Sequence, residues 1–166
     1  MSEQKLSFQV GDQVIHWVYG LGEIVRLDEK KLAGRSNRYY VVQIRDLTIW
    51  VPLNAAGEHS LRFPTPAEDF QKLFRLLASP AEPLETDRYK RKTQVMELLK
   101  DGTLASTCRV VRDLVDYKRH HKINDNDNAI LERARNFLLN EWSVALDVPI
   151  QQAEREMKAL LETHVI

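Results

Sequence analysis

The hydrophobic pattern of this chain changes period near residue 65, which confines it to a β region followed by a helical one. Residues 8–53 hold short apolar runs: Val14-Ile15-His16-Trp17, then Glu23 to Leu27 after a Gly20-Leu21-Gly22 turn, then Arg38 to Arg45 and Thr48 to Pro52. Strands so short and closely spaced predict a small, strongly curved barrel. Aromatic and β-branched residues nearly fill Tyr39 to Ile44, as in a strand partly covered on both faces. Asp46-Leu47 connects tightly into Thr48 to Val51, where alternation sets Ile49 and Val51 on one face and Thr48 and Trp50 on the other. Trp17 is expected in the core. Trp50 has two readings: an exposed interface anchor, or a ring packed on the helix at Phe70 to Leu77.

Helical spacing begins at Thr65-Pro66-Ala67-Glu68, which reads as a capping box with Thr as N-cap, Pro at the first helical position and Glu reaching back. Phe70, Leu73, Phe74 and Leu77 follow at three and four. Pro80 and Pro83 interrupt any continuous helix, so residues 79–86 read as a linker. A helix from Asp87 to Lys100 should stop at Asp101-Gly102. A second follows with Leu104, Cys108, Val111, Leu114 and Val115 on one stripe. Asn124 to Asn128 can cap a third, with Ile130, Ala134, Phe137, Leu138, Glu141, Trp142 and Ala145 recurring. Pro149 opens a fourth, with Ile150, Ala153, Met157, Leu160 and Leu161 inward. The expected fold class is β plus α in two domains: a barrel over 1–64, a connecting helix over 65–78, the linker 79–86 and an all-α domain over 87–166.

With 43% hydrophobic residues over 166, the chain can bury a core. Lys plus Arg and Asp plus Glu both number 24, so it is not a globally basic polyanion binder. The single cysteine, Cys108, excludes an internal disulfide and a cysteine-built metal site, and fits a cytoplasmic setting. Neither a secretion signal nor a membrane-spanning apolar run is visible. Charge is nonetheless uneven. Arg88 to Lys122 carries ten basic and four acidic residues, whereas Ile123 onward carries four basic and eight acidic. A polyanion would therefore meet the first two helices of the all-α domain. The run Arg88-Tyr89-Lys90-Arg91-Lys92 reads either as a phosphate-contacting strip or as an ordinary solvated helix face.

Catalytic signatures are missing: there is no Gly-x-Ser-x-Gly, Walker loop, His-Glu-x-x-His or Cys-x-x-Cys. Gly20-Leu21-Gly22 lacks the third glycine and following helix of a dinucleotide cradle, because Val25 and a strand come next. His120 and His121 diverge on a helix end with no ligand at metal spacing beside them. Asp125 and Asp127 begin like a calcium loop, but Ile130 and Asn136 stand where Gly and a bidentate Glu are needed. No catalytic residue, metal, cofactor or small-molecule substrate is expected.

Phe8-Gln-Val-Gly11-Asp12-Gln-Val14-Ile-His16, Tyr19-Gly20-Leu-Gly22, the Tyr39-Tyr40-Val-Val strand and Asp46-Leu47-Thr48-Ile-Trp50-Val51-Pro52 resemble the polymerase-interacting domain of CarD-like bacterial regulators, shared with transcription-repair coupling factors. Arg88-Tyr89-Lys90, Leu99-Lys-Asp-Gly102, Val110-Val111-Arg112-Asp113-Leu114 and Leu131-Glu-Arg-Ala134-Arg135 resemble the CarD helical domain in the same order. The resemblance spans about residues 8–163. It implies a Tudor-like or SH3-like barrel that binds the β subunit of RNA polymerase, and a helical domain that touches promoter DNA and stabilises the open complex. On it, Lys30, Leu32, Thr48 and Trp50 become candidate polymerase contacts, and Arg88, Lys90, Arg91, Lys92 and Arg119 candidate DNA contacts. Two departures stand out. Trp50 occupies a position where better-known members carry Arg. Glu85 and Asp87 fall where a groove-wedging Trp and an Arg are common, so two acids replace contacts that favour DNA. The alternative is a protein-interaction adaptor on polymerase without DNA binding.

Overall fold

The computed structural model describes residues 8–53 and 61–163, with the side chain of Leu32 outside the description. The chain divides into two compact units, Met1–Pro64 and Thr65–Ile166.

The first unit is one antiparallel sheet of β1 (Gln13–His16), β2 (Gly20–Leu32), β3 (Arg35–Ile44), β4 (Leu47–Pro52) and β5 (Leu61–Arg62), in the order β4-β3-β2-β1-β5. Its core gathers Val14, Ile24, Tyr40, Val42, Ile44, Val51 and Leu61 on one face, while Ile15 and Val41 are buried on the other, so the middle of the sheet is covered on both faces. β2 and β3 are longer than their apolar stretches, which end at Leu27 and begin again near Arg38. Pairing continues through Glu29 opposite Arg38 and Lys31 opposite Ser36 to a two-residue loop, Ala33-Gly34. Both loop residues have positive φ, 52° and 77°, which matches the twist of a tight hairpin. Main-chain pairing, with no apolar periodicity to announce it, carries these ends.

Gly20 and Gly22 begin β2, and Trp17, Val18 and Tyr19 make the turn before it. Gly22 is a close-approach glycine: a Cβ there would lie 2.5 Å from Ile44 Cγ1 and 2.8 Å from the Gln43 carbonyl. Trp17, expected in the core, is 61% exposed because it lies on the turn beyond the end of β1.

A register shift between Ile24 and Arg26 leaves Val25 as an extra residue on β2. This bulge resets the alternation. Ile24 pairs with inward Val42, while Arg26 pairs with Val41 on the opposite face. Asp28 and Lys30 follow Arg26 onto that outer face.

The second unit holds a 3₁₀ turn (Ala67–Asp69) and helices α1 (Phe70–Ala78), α2 (Arg88–Leu99), α3 (Leu104–His120), α4 (Asp125–Leu146) and α5 (Ile150–Leu161). Among the described residues no helix is long and apolar enough to cross a membrane. α3 packs against α1, α2 and α4, and α5 against α1 and α4. The core joins Phe70, Leu73 and Leu77 of α1 to Leu104, Cys108, Val111 and Leu114 of α3, Leu138 and Trp142 of α4, and Ala153 and Met157 of α5. α1 is therefore part of the helical core, and residues 79–86 join two helices of one unit instead of linking two domains. Ile150, expected inward, is exposed at the start of α5. Burial pushes the Cys108 thiol up to about 12, with Glu141 adding to the effect.

Three helices carry side-chain N-caps, of which the sequence announces the one at Asn124. Asp87 accepts the Tyr89 and Lys90 N–H groups, Thr103 accepts from Ser106, and Asn124 with Asp127 forms a capping box. Gly102 adopts φ 69° after α2. The capping box at Thr65 is absent: the Thr65 N–H donates to Glu141 Oε2 at 2.8 Å, and a 3₁₀ turn precedes α1. Glu141, on the apolar stripe of α4, is thereby a buried acceptor for the segment entering α1.

Candidate functional site

On the outer face of the sheet Trp50 is 38% exposed, and alternation separates it from buried Val51. Its indole extends from β4 across β3 toward β2, where Nε1 lies 3.5 Å from Asp28 Oδ2, a long hydrogen bond. Val41, opposite Trp50 in the register, is wholly buried. Lys30 Nζ sits 4.0 Å from the centre of the Trp50 ring, and Arg26 Cζ 6.0 Å from it, both within cation–π reach. Arg26 Nε is 3.9 Å from Asp28 Oδ2. Thr48, also exposed, donates its hydroxyl to Gln43 Oε1 at 2.6 Å. The structure thus brings Lys30 and Trp50 into contact, sets Thr48 two residues along the same strand face, and adds Arg26 and Asp28. Leu32 falls outside the described side chains.

The helical candidates separate into two kinds. Arg88, Lys90 and Lys92 are exposed on α2, and Arg88 lies over the exposed Tyr89 ring, 4.8 Å from its centre. Arg91 is 3% exposed and corrects the uniform basic strip. Its Nε donates to both Asp127 oxygens at 3.1 Å and Nη2 donates to Oδ2 at 2.6 Å. Its Nη1 donates to the Glu85 and Thr86 carbonyls and the Tyr117 hydroxyl. The Asp127 hydrogen bonds hold the Arg91 pKa above its usual value. Arg91 is a tie between α2, α3 and α4, unavailable to a partner without breaking a buried pair. Arg119 is exposed, and both terminal nitrogens donate to the Leu161 carbonyl at 3.2 and 3.3 Å, so it also closes the end of α5.

Asp87 is exposed, and the Lys90 backbone hydrogen bond is the largest cause holding its carboxyl below the usual range. It is therefore ionised beside Arg88 and Lys90 at neutral pH. Glu85 lines an open depression of about 460 Å³ with Tyr89, Lys90, Thr93 and Gln94. Its backbone N–H donates to Gln94 Oε1.

The Val110 to Leu114 motif is structural. Arg112 donates to Asp113 Oδ1 at 2.9 Å and to Ser79 Oγ at 2.7 Å, while Asp113 accepts the Glu82 N–H at 3.0 Å. Burial raises the Asp113 pKa despite the Arg112 hydrogen bond. Adjacent charges on α3 thus latch the proline-containing 79–86 segment to the helical core.

Sequence periodicity misses the Trp17–Tyr19 turn. His16 is buried, and its Nδ1 accepts the Val18 and Tyr19 N–H groups at 3.0 and 3.2 Å. Its ring stacks on exposed Tyr19, centres 5.1 Å apart. The signal in the sequence is the Trp-Val-Tyr-Gly run, whose apolar residues look like strand core.

The two units, one a sheet and one helical, each match a known domain family. The CarD-like/TRCF RID domain family matches residues 8–62, and the CarD C-terminal domain family matches residues 72–158. The chain belongs to the CarD family. It is also similar to the Bacillus subtilis (strain 168) protein named "Putative transcription factor YdeB", with 26% identity over 151 residues, covering 87% of this chain and 96% of the relative.

Proposed function

We propose that the chain binds the β subunit of RNA polymerase through the Trp50 face of its sheet, and stabilises the promoter open complex through weak, non-specific contacts between DNA and α2. The polymerase-facing unit is 1–64, which we read as a Tudor-like barrel, and the setting is the bacterial cytoplasm. The observation that carries this reading is the match of both units to the two CarD domain families, in order along one chain. The Trp50 face suits an interface, since an exposed aromatic flanked by cations supplies both burial and charge. Exposed Arg88, Lys90 and Lys92 supply phosphate contacts, and tethering to polymerase raises their effective concentration, so low intrinsic affinity suffices. The reading needs no cofactor and no turnover.

Glu85 and Asp87 favour a second reading, an adaptor that binds polymerase but not DNA, because both acids lie among the α2 cations. Binding of the full chain to bacterial RNA polymerase, with promoter open-complex lifetime measured alongside, separates the two. Binding that lengthens the lifetime supports the regulator reading. Binding without any change in lifetime supports the adaptor, and no binding sinks both.

A further inference from the structure

Trp50 and the charged residues facing it from β2 are assembled by the fold. Without the bulge at Val25, strict alternation from inward Ile24 would send Arg26, Asp28 and Lys30 to the core face. With it, all three share the face of Trp50. The indole is held at one end by Asp28 and carries the Lys30 ammonium 4.0 Å from its ring centre. A lysine ammonium rides on a flexible stem and loses rotamer freedom when a partner fixes it. A ring that already holds it removes part of that loss. The Asp28 carboxylate faces the indole N–H and Arg26 and offsets the Arg26 charge, so the net positive charge of the cluster is that of Lys30.

We infer, on the reading that this face meets RNA polymerase, that Trp50 is a positioning residue for Lys30, and that the pair presents a preset cation to a carboxylate-bearing surface of polymerase. Asp28 orients the ring and Arg26 flanks it. Lys30 and Trp50 then act as one unit, so their contributions to binding are coupled.

The test uses the full chain. In NMR spectra the Lys30 ε-methylene protons should be shifted upfield by the ring, and return to ordinary values in Trp50→Leu. In calorimetry against RNA polymerase, Lys30→Met and Trp50→Leu should each weaken binding. The loss from Lys30→Met should be about two- to fivefold smaller in the Trp50→Leu background, the scale of an exposed cation–π contact. Trp50→Phe, which keeps a π face, should restore most of the Lys30 effect and serves also if Trp50→Leu fails to fold. Additive losses overturn the positioning role while leaving this face as the interface. An absent upfield shift overturns it too. If neither substitution changes polymerase affinity, the assignment of the face falls as well. The same variants titrated with duplex DNA provide the last arm: losses confined to DNA would make the partner a nucleic acid and overturn the proposal.

Discussion

His16 links a buried imidazole to the shape of an exposed turn. Its Nδ1 accepts two backbone N–H groups, which requires an unprotonated nitrogen there, and burial holds its pKa below 6.5. Because the folded-state pKa is depressed, the unfolded chain takes up the proton first. The stability His16 contributes is therefore complete above about pH 6.5 and is lost as pH falls through the folded value. NMR titration should show the His16 ring resisting protonation below pH 6.5, with the Val18 and Tyr19 amides shifting when it yields. A His16 that titrates at 6.5 without moving those amides would remove the linkage. The three tryptophans show what was legible at this scale. Trp142 lies on a helical stripe and is buried as its spacing requires. Trp17 sits at the end of an apolar run, and nothing local announces that β1 stops at His16. Trp50 was legible as far as its strand face. Its ring partners were not, because Asp28 and Lys30 reach it only through a bulge and two strand pairings.

Helices were legible where periodicity and a cap agree, as at Asn124, and less so where a tertiary contact takes the donor, as at Thr65. The bulge leaves no signature in the residue types around Val25, and the hairpin at Ala33-Gly34 extends through charged residues that apolar patterning ignores. α2 makes the same point about charge. Five basic or aromatic residues from Arg88 to Lys92 look like one strip, yet the helix turns Arg91 inward to Asp127 and leaves Arg88, Lys90 and Lys92 outside. If α2 meets DNA, Lys90→Gln and Lys92→Gln should each weaken duplex binding and lower the salt-dependence slope by roughly 0.9. Asp87→Asn, which keeps an N-cap oxygen, should strengthen binding by removing a negative charge. Arg91→Met should instead lower the unfolding midpoint, since it strands Asp127 in the core. Fluorescence anisotropy over a salt series, paired with chemical denaturation, distinguishes surface cations from the buried one. Equal effects of all four substitutions on DNA affinity would mean that α2 does not present the face described.

At the scale of the molecule, the chain divides at Pro64, and α1 belongs to the helical unit. The prolines of 79–86 suggest a linker between domains because proline ends helices, and that local inference holds: α1 stops at Ala78 and α2 begins at Arg88. What composition cannot reveal is that Arg112 and Asp113 latch this segment to α3, and that Phe70, Leu73 and Leu77 complete the core that α3, α4 and α5 leave open. The consequence is a difference between two truncations. A fragment of residues 65–166 retains α1 and should unfold in one cooperative transition. A fragment of residues 79–166 removes three buried side chains worth about 1.5–3 kcal/mol each, a large share of the roughly 5–15 kcal/mol that stabilises a domain. It should show a broad or absent transition and bind a hydrophobic dye, because the α1-facing surfaces of α3 and α5 lose their cover. Circular dichroism during urea titration of both fragments checks this. Equal midpoints would return α1 to the role of a connector and leave Phe70, Leu73 and Leu77 as passengers on a core that closes without them.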